Sequence, residues 1–118
     1  MFPATPITFR QLLRHRSSIA DNLDYLLSFW ENKYQGTDMP LGTFLADYLS
    51  VGGKHSQANK NFANTEPGNR SEYSNIGFAL LGYLVDRISK TPFDQYCKAN
   101  LFTPLEMHNT NWFLEPFQ

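Results

Sequence analysis

Tyr73 and Asn75, in the segment Pro67-Gly68-Asn69-Arg70-Ser71-Glu72-Tyr73-Ser74-Asn75, are the residues whose types and spacing best suit chemistry. A proline-glycine turn precedes them and a strongly apolar run follows, so they stand where a loop enters a buried helix. A helix N-terminus exposes unpaired N–H groups. On such a turn the phenol can transfer a proton, and the amide can orient a second group as donor and acceptor. On pattern alone the plainer reading is the default: Ser74 or Asn75 caps the helix and Tyr73 packs over its first turn.

The other reactive side chains offer less. His15 lies between Arg14 and Arg16, which reads as a solvated helix edge, and His55 and His108 read as surface histidines in loops. Cys97 falls on an apolar helical face and reads as a small core residue. With one cysteine there is no intramolecular disulfide, and no Cys-x-x-Cys or His cluster has metal-ligand spacing. No metal or cofactor is expected.

The elements that must position Tyr73 and Asn75 are helical, and strand alternation is missing throughout. Thr8 and Gln11 have capping-box spacing ahead of Phe9, Leu12 and Leu13, which predicts a short helix fading near Arg16. Over residues 19–34, Leu23, Leu26, Leu27 and Trp30 recur at helical spacing, although Asp21, Asn22 and Asp24 blur the start. After a turn at residues 36–40, Leu41, Phe44, Leu45, Tyr48 and Leu49 mark a helix that ends before Gly52-Gly53. A polar stretch through Gly68 is predicted as loop. Residues 75–90 are apolar on nearly every side, which predicts a central helix enclosed by neighbours. Thr91-Pro92 starts a last helix, with Phe93, Tyr96, Cys97 and Leu101 as its inward stripe, and Pro104 helps stop it.

Composition bounds what this helical unit can do. The chain has 118 residues, 10 basic against 11 acidic, for a net charge of −1. That is enough chain for one domain, residues 1–118, but it supplies no field for nucleic acid or an anionic membrane. The longest nearly uninterrupted apolar stretch, residues 76–85, is too short to cross a bilayer. The chain therefore reads as soluble, periplasmic or cytoplasmic, with no transmembrane segment.

The Tyr73 segment, continued by Ile76-Gly77-Phe78-Ala79-Leu80-Leu81-Gly82, resembles the PGxxxxYSNxGFxLLG signature of the serine β-lactamase and penicillin-binding-protein-like hydrolases. Residues 92–96 and 101–110 resemble that family's "PFxxY" and "IFxPLGMxxT" segments, with Glu106 where glycine is usual. Residues 7–19 resemble "ITLRHLLTHTSGI", with Arg14 and Arg16 replacing threonines and Ser18 replacing glycine. The resemblance implies roles for Tyr73 as candidate general base and for Asn75 as the amide that holds substrate and the catalytic lysine. It also implies acyl transfer through a serine ester, on β-lactams, D-alanyl peptides or simple esters.

The partners of those roles are not in this sequence. No serine stands three residues before a lysine, Lys90-Thr91 is followed by proline rather than glycine, and no Gly-x-Ser-x-Gly elbow occurs. A free tyrosine ionises near pH 10 and becomes a useful base near neutrality only beside cations. The expectation is therefore an all-α subdomain of a β-lactamase-like fold, lacking the sheet and inert alone. The alternative is a non-catalytic helical binding or oligomerisation module. Without the family's sheet, exposed apolar helix faces predict a homodimer or larger assembly.

Overall fold

The computed structural model describes residues 4–31 and 39–113. Among them the regular elements are helices: α1 (Phe9–Leu13), α2 (Leu23–Glu31), α3 (Leu41–Leu49), α4 (Ala58–Asn61), α5 (Asn75–Ser89) and α6 (Phe93–Cys97). The described residues contain no strand; a single isolated antiparallel bridge pairs Ile19 with Phe62. The all-α expectation therefore holds.

Contacts divide the chain into two compact units, residues 1–81 and 82–118, with α5 contributing residues 75–81 to the first and 82–89 to the second. In the first unit, Leu12, Ile19, Leu26, Leu45, Tyr48 and Ile76 are buried. α1 starts as its capping box dictates. The Thr8 hydroxyl accepts the Gln11 N–H at 3.3 Å, and the Gln11 side chain accepts the Thr8 N–H at 2.9 Å. It ends in a Schellman closure: the His15 N–H bonds Leu12 O, the Arg16 N–H bonds Gln11 O, and His15 takes the left-handed conformation at φ 52°.

α2 begins later than its apolar spacing suggests, because residues 19–22 are used otherwise. Ile19 enters the bridge, and Asn22 turns its carbonyl to the N–H groups of Tyr25 and Leu26, so the helix starts after it. The predicted extension to Tyr34 and most of the turn at 36–40 lie outside the described residues. α3 follows its predicted span. The loop after it contains the short α4, whose Asn61 is fully buried.

In the second unit, α6 runs on into a π-helical turn at Lys98–Phe102. Cys97 is buried as predicted, and the rings of Phe93 and Trp112 pack at 5.0 Å. Leu101, predicted inward, is exposed. The enclosure predicted for α5 is also corrected: Ile76 and Gly77 are its buried residues, and Phe78 and Ile88 are exposed. A helix apolar all round need not be covered all round within one chain.

Candidate functional site

The start of α5 is built by two side chains. Ser74 is buried, and its hydroxyl oxygen accepts the Gly77 N–H at 2.8 Å, the bond expected of an N-cap residue. Asp21, which lies far away in sequence, supplies the rest. Its Oδ2 accepts the Asn75 backbone N–H at 2.9 Å, and its Oδ1 accepts the Ile76 N–H at 3.0 Å and the Ser74 hydroxyl at 3.3 Å. A carboxylate at a helix N-terminus meets both the free N–H groups and the positive end of the helix dipole. The capping reading of this segment is thus correct for Ser74. Asn75 does something else.

The Asn75 side chain lies between Asp21 and Tyr73. Its Nδ2 donates to Asp21 Oδ2 at 2.7 Å, and its Oδ1 accepts the Tyr73 hydroxyl at 3.0 Å. Tyr73 is 69% exposed. With its proton directed at Asn75, the phenol oxygen turns its remaining lone-pair capacity outward.

His15 sits against Tyr73. The Schellman closure of α1 aims the imidazole at the α5 start, where Nδ1 accepts the Ser74 N–H at 3.1 Å. The proton of the neutral ring therefore lies on Nε2. The ring packs against Tyr73 at 4.7 Å and stacks on Phe78 at 4.6 Å, and the His15 carbonyl accepts the Glu72 N–H at 2.7 Å. Nearby, Arg16 O accepts the Gly68 N–H at 2.8 Å and Arg14 O accepts the Ser71 hydroxyl at 3.3 Å. The segment from Gly68 to Tyr73 is thus tied along the end of α1. His15 is half-buried, not the solvated edge its arginine neighbours suggest.

A buried polar network holds the segment that carries Asp21. The Tyr48 hydroxyl accepts the Asn22 N–H at 2.7 Å and donates to Ala20 O at 2.9 Å. Asn61 Oδ1 accepts from Asn22 Nδ2 at 3.1 Å, while Asn61 Nδ2 reaches Tyr48 O and His55 O, each at 2.8 Å. Burial pushes the Tyr48 phenol above the ordinary tyrosine value, with the Asn22 N–H acting the other way. Burial likewise raises Tyr25, which stacks on His55 at 4.5 Å. Fully bonded networks of this kind fix one conformation.

Sequence reasoning brought Tyr73 and Asn75 together but missed Asp21 and His15. The available signal for Asp21 was the acidic residue that interrupted the α2 pattern; for His15 it was the one imidazole inside the motif-like segment 7–19. Among the described residues no group of three or more His, Cys, Asp and Glu could hold a metal ion. None of the described helices is long and apolar enough to cross a membrane.

Among curated proteins, Penicillin-binding protein 4* of Bacillus subtilis is 25% identical over 114 residues, which is 92% of this chain and 22% of that protein. The protein named "Putative D-alanyl-D-alanine carboxypeptidase" of Salmonella schwarzengrund is 31% identical over 45 residues, 38% of this chain and 10% of that protein. This chain thus spans a minor part of the relatives it matches. No solved structure matches it. The family model described as Beta-lactamase matches residues 2–118, nearly the whole chain, and contains the Tyr73–Asn75 turn and the segments that hold it. The chain belongs to the Beta-lactamase family.

Proposed function

We propose that this chain is the helical part of a serine hydrolase that carries the Tyr73–Asn75 pair, and that it contributes this pair to an acyl-transfer site. The observation that carries this reading is the hydrogen bond from the exposed Tyr73 hydroxyl to Asn75 Oδ1, which leaves the phenol oxygen open to a reacting group. The serine nucleophile and the lysine that activates it would come from sequence beyond these residues. Substrates would be β-lactams, D-alanyl peptides or simple esters, in keeping with the names of the relatives.

Two assays test it. The purified chain should not turn over a chromogenic β-lactam or a p-nitrophenyl ester above the buffer rate. Turnover lost in Tyr73→Phe would overturn the inert reading. In a longer polypeptide that joins this sequence to a Ser-x-x-Lys element, Tyr73→Phe should lower kcat by about 10²–10⁴-fold, the range for a general acid or base, with a smaller change in KM. An unchanged kcat there would remove Tyr73 from the chemistry.

The second reading is a helical assembly module that pairs with another copy of itself. Phe9 and Leu13, one turn apart on α1, are 55% and 60% exposed, and Leu23 and Leu27 repeat the spacing on α2. Apolar stripes of this kind favour association. Light scattering at micromolar concentration should give at least a dimer mass, and Phe9→Lys with Leu13→Lys should return it to a monomer. A monomeric wild type would end this reading.

A further inference from the structure

We propose that Asp21 is a positioning residue for the Tyr73–Asn75 pair, and that it sets which end of the Asn75 amide faces the phenol. The proposal deepens the reading of that pair as part of an acyl-transfer site, and it rests on that reading for its functional meaning. The geometric part stands on this chain alone.

The polarity of one side chain, that of Asp21, decides this orientation. An ionised carboxylate only accepts hydrogen bonds. Asp21 Oδ2 lies 2.7 Å from the Asn75 amide, so the end of the amide facing it must be Nδ2. The opposite end, Oδ1, is then the one presented to Tyr73, 3.0 Å away. Turning the amide over would bring two oxygens together at Asp21 and would make the Tyr73 phenol the acceptor instead of the donor. Because Oδ1 can only accept, Tyr73 must donate. The charge on Asp21 thereby fixes the direction of the Tyr73 proton and leaves the phenol lone pairs toward solvent, the orientation an acceptor of protons needs.

Asp21 can act this way because it is held from both sides. Its neighbours Ala20 and Asn22 are bound to the Tyr48 hydroxyl, and Asn22 is bound to the buried Asn61. Its own oxygens are anchored by the Asn75 and Ile76 N–H groups and by the Ser74 hydroxyl. Asn75, with one bond to each side, is the link through which Asp21 reaches Tyr73.

Asp21→Asn tests the polarity without removing the side chain. Its amide oxygen can still cap α5, but the new amide can offer either its oxygen to Asn75 Nδ2 or its NH₂ to Asn75 Oδ1, so the fixed orientation is lost. In isotope-labelled chain, the Asn75 side-chain NH₂ resonances and the Tyr73 ring Cζ resonance, identified by their loss in Asn75→Ala and Tyr73→Phe, report the two bonds. The expected result is that Asp21→Asn moves both signals in the otherwise native chain, and that the Tyr73 signal no longer responds to Asp21→Asn once Asn75 is alanine. A generally loosened structure would move Tyr73 in both backgrounds, which would overturn the proposal, as would a Tyr73 signal that moves in neither. If Asp21→Asn does not fold, Asp21→Ser serves in its place, since a hydroxyl can also cap and donate, and the same pair of outcomes decides. These spectra do not depend on turnover. The assays of the longer polypeptide can therefore refute the hydrolase reading while this one stands, and the reverse.

Discussion

Tyr48→Phe should be among the most damaging single-atom deletions in this chain, and the structure allows its size to be worked out. Tyr48 is fully buried. Removing its hydroxyl leaves the Asn22 N–H without an acceptor and Ala20 O without that donor. An orphaned buried group costs about 1–3 kcal/mol. Asn22 is buried and Ala20 half-buried, so a total of about 3 kcal/mol is expected, the Ala20 share being the smaller. For a chain of this length that is a fall in Tm of roughly 10–15 °C. Urea unfolding followed by circular dichroism should show a lower midpoint with an unchanged slope, the mark of altered stability rather than altered unfolded-state compactness. The pH dependence adds a second check. The folded phenol is raised above its ordinary value by burial, so in alkali the unfolded chain loses this proton first. The stability tied to Tyr48 is complete below about pH 10 and falls as pH rises from there toward the folded value. Phenylalanine has no such proton, so the gap between wild type and variant should narrow as the pH rises above about 10. Tyr25, also raised, leaves part of the alkaline slope in both. A loss below about 1 kcal/mol, no larger than an ordinary hydrogen bond, or a gap that stays constant through that rise would refute the reasoning.

The backbone yields four further predictions, all read by thermal or urea melts. At Gly53 an added Cβ would stand 2.4 Å from Asp47 O and 2.8 Å from Ala46 O, both main-chain atoms at the end of α3, so Gly53→Ala should cost about 2–3 kcal/mol. Gly52 faces open space but has φ 79°, so Gly52→Ala should cost only the left-handed strain of about 1–2 kcal/mol; equal losses at the two positions would contradict the contact argument. Glu106 has φ 56° in a Schellman closure, in which the Glu106 N–H bonds Thr103 O and the Met107 N–H bonds Phe102 O. Glu106→Gly should stabilise by about 0.5–1 kcal/mol, the relief of strain less the backbone entropy of glycine, and a destabilised variant would show that the side chain has a role the backbone does not reveal. Ser18→Gly at φ 64° should come out near neutral, because it relieves similar strain but deletes the hydrogen bond from Ser18 Oγ to Thr65 O.

What could be read from the sequence follows the range of the interactions involved. α1 and α3 were legible because a capping box and an apolar stripe are local signals, complete within a few residues. The start of α2 was not. Asp21 and Asn22 look like unremarkable polar residues on a helix, yet their partners, Asn75, Tyr48 and Asn61, stand 54, 26 and 39 positions away. The same holds for His15, whose neighbours in sequence are arginines and whose neighbours in space are Tyr73, Phe78 and Ser74. Asn61, a polar residue in a polar loop, carried no sign that it would be fully buried.

The two departures from the family's glycines show the converse, a local rule overruled by distant bonds. Ser18 and Glu106 stand where the resembled segments have glycine, and both adopt the left-handed backbone that glycine would have provided without strain. At Ser18 the surroundings account for this: its carbonyl accepts the Ala63 N–H, its hydroxyl bonds Thr65 O, and the adjacent Ile19 pairs with Phe62. Three contacts to the 62–65 segment hold a conformation that costs about 1–2 kcal/mol. This turn lies between His15 and Asp21, the two residues that flank Tyr73 and Asn75. Its geometry therefore survives the loss of glycine because the surrounding bonds impose it, and the placement of both supports of the candidate site depends on those bonds. It follows that substitutions in the 62–65 segment, remote in sequence from Tyr73, should disturb the site through Ser18 before they disturb the helices.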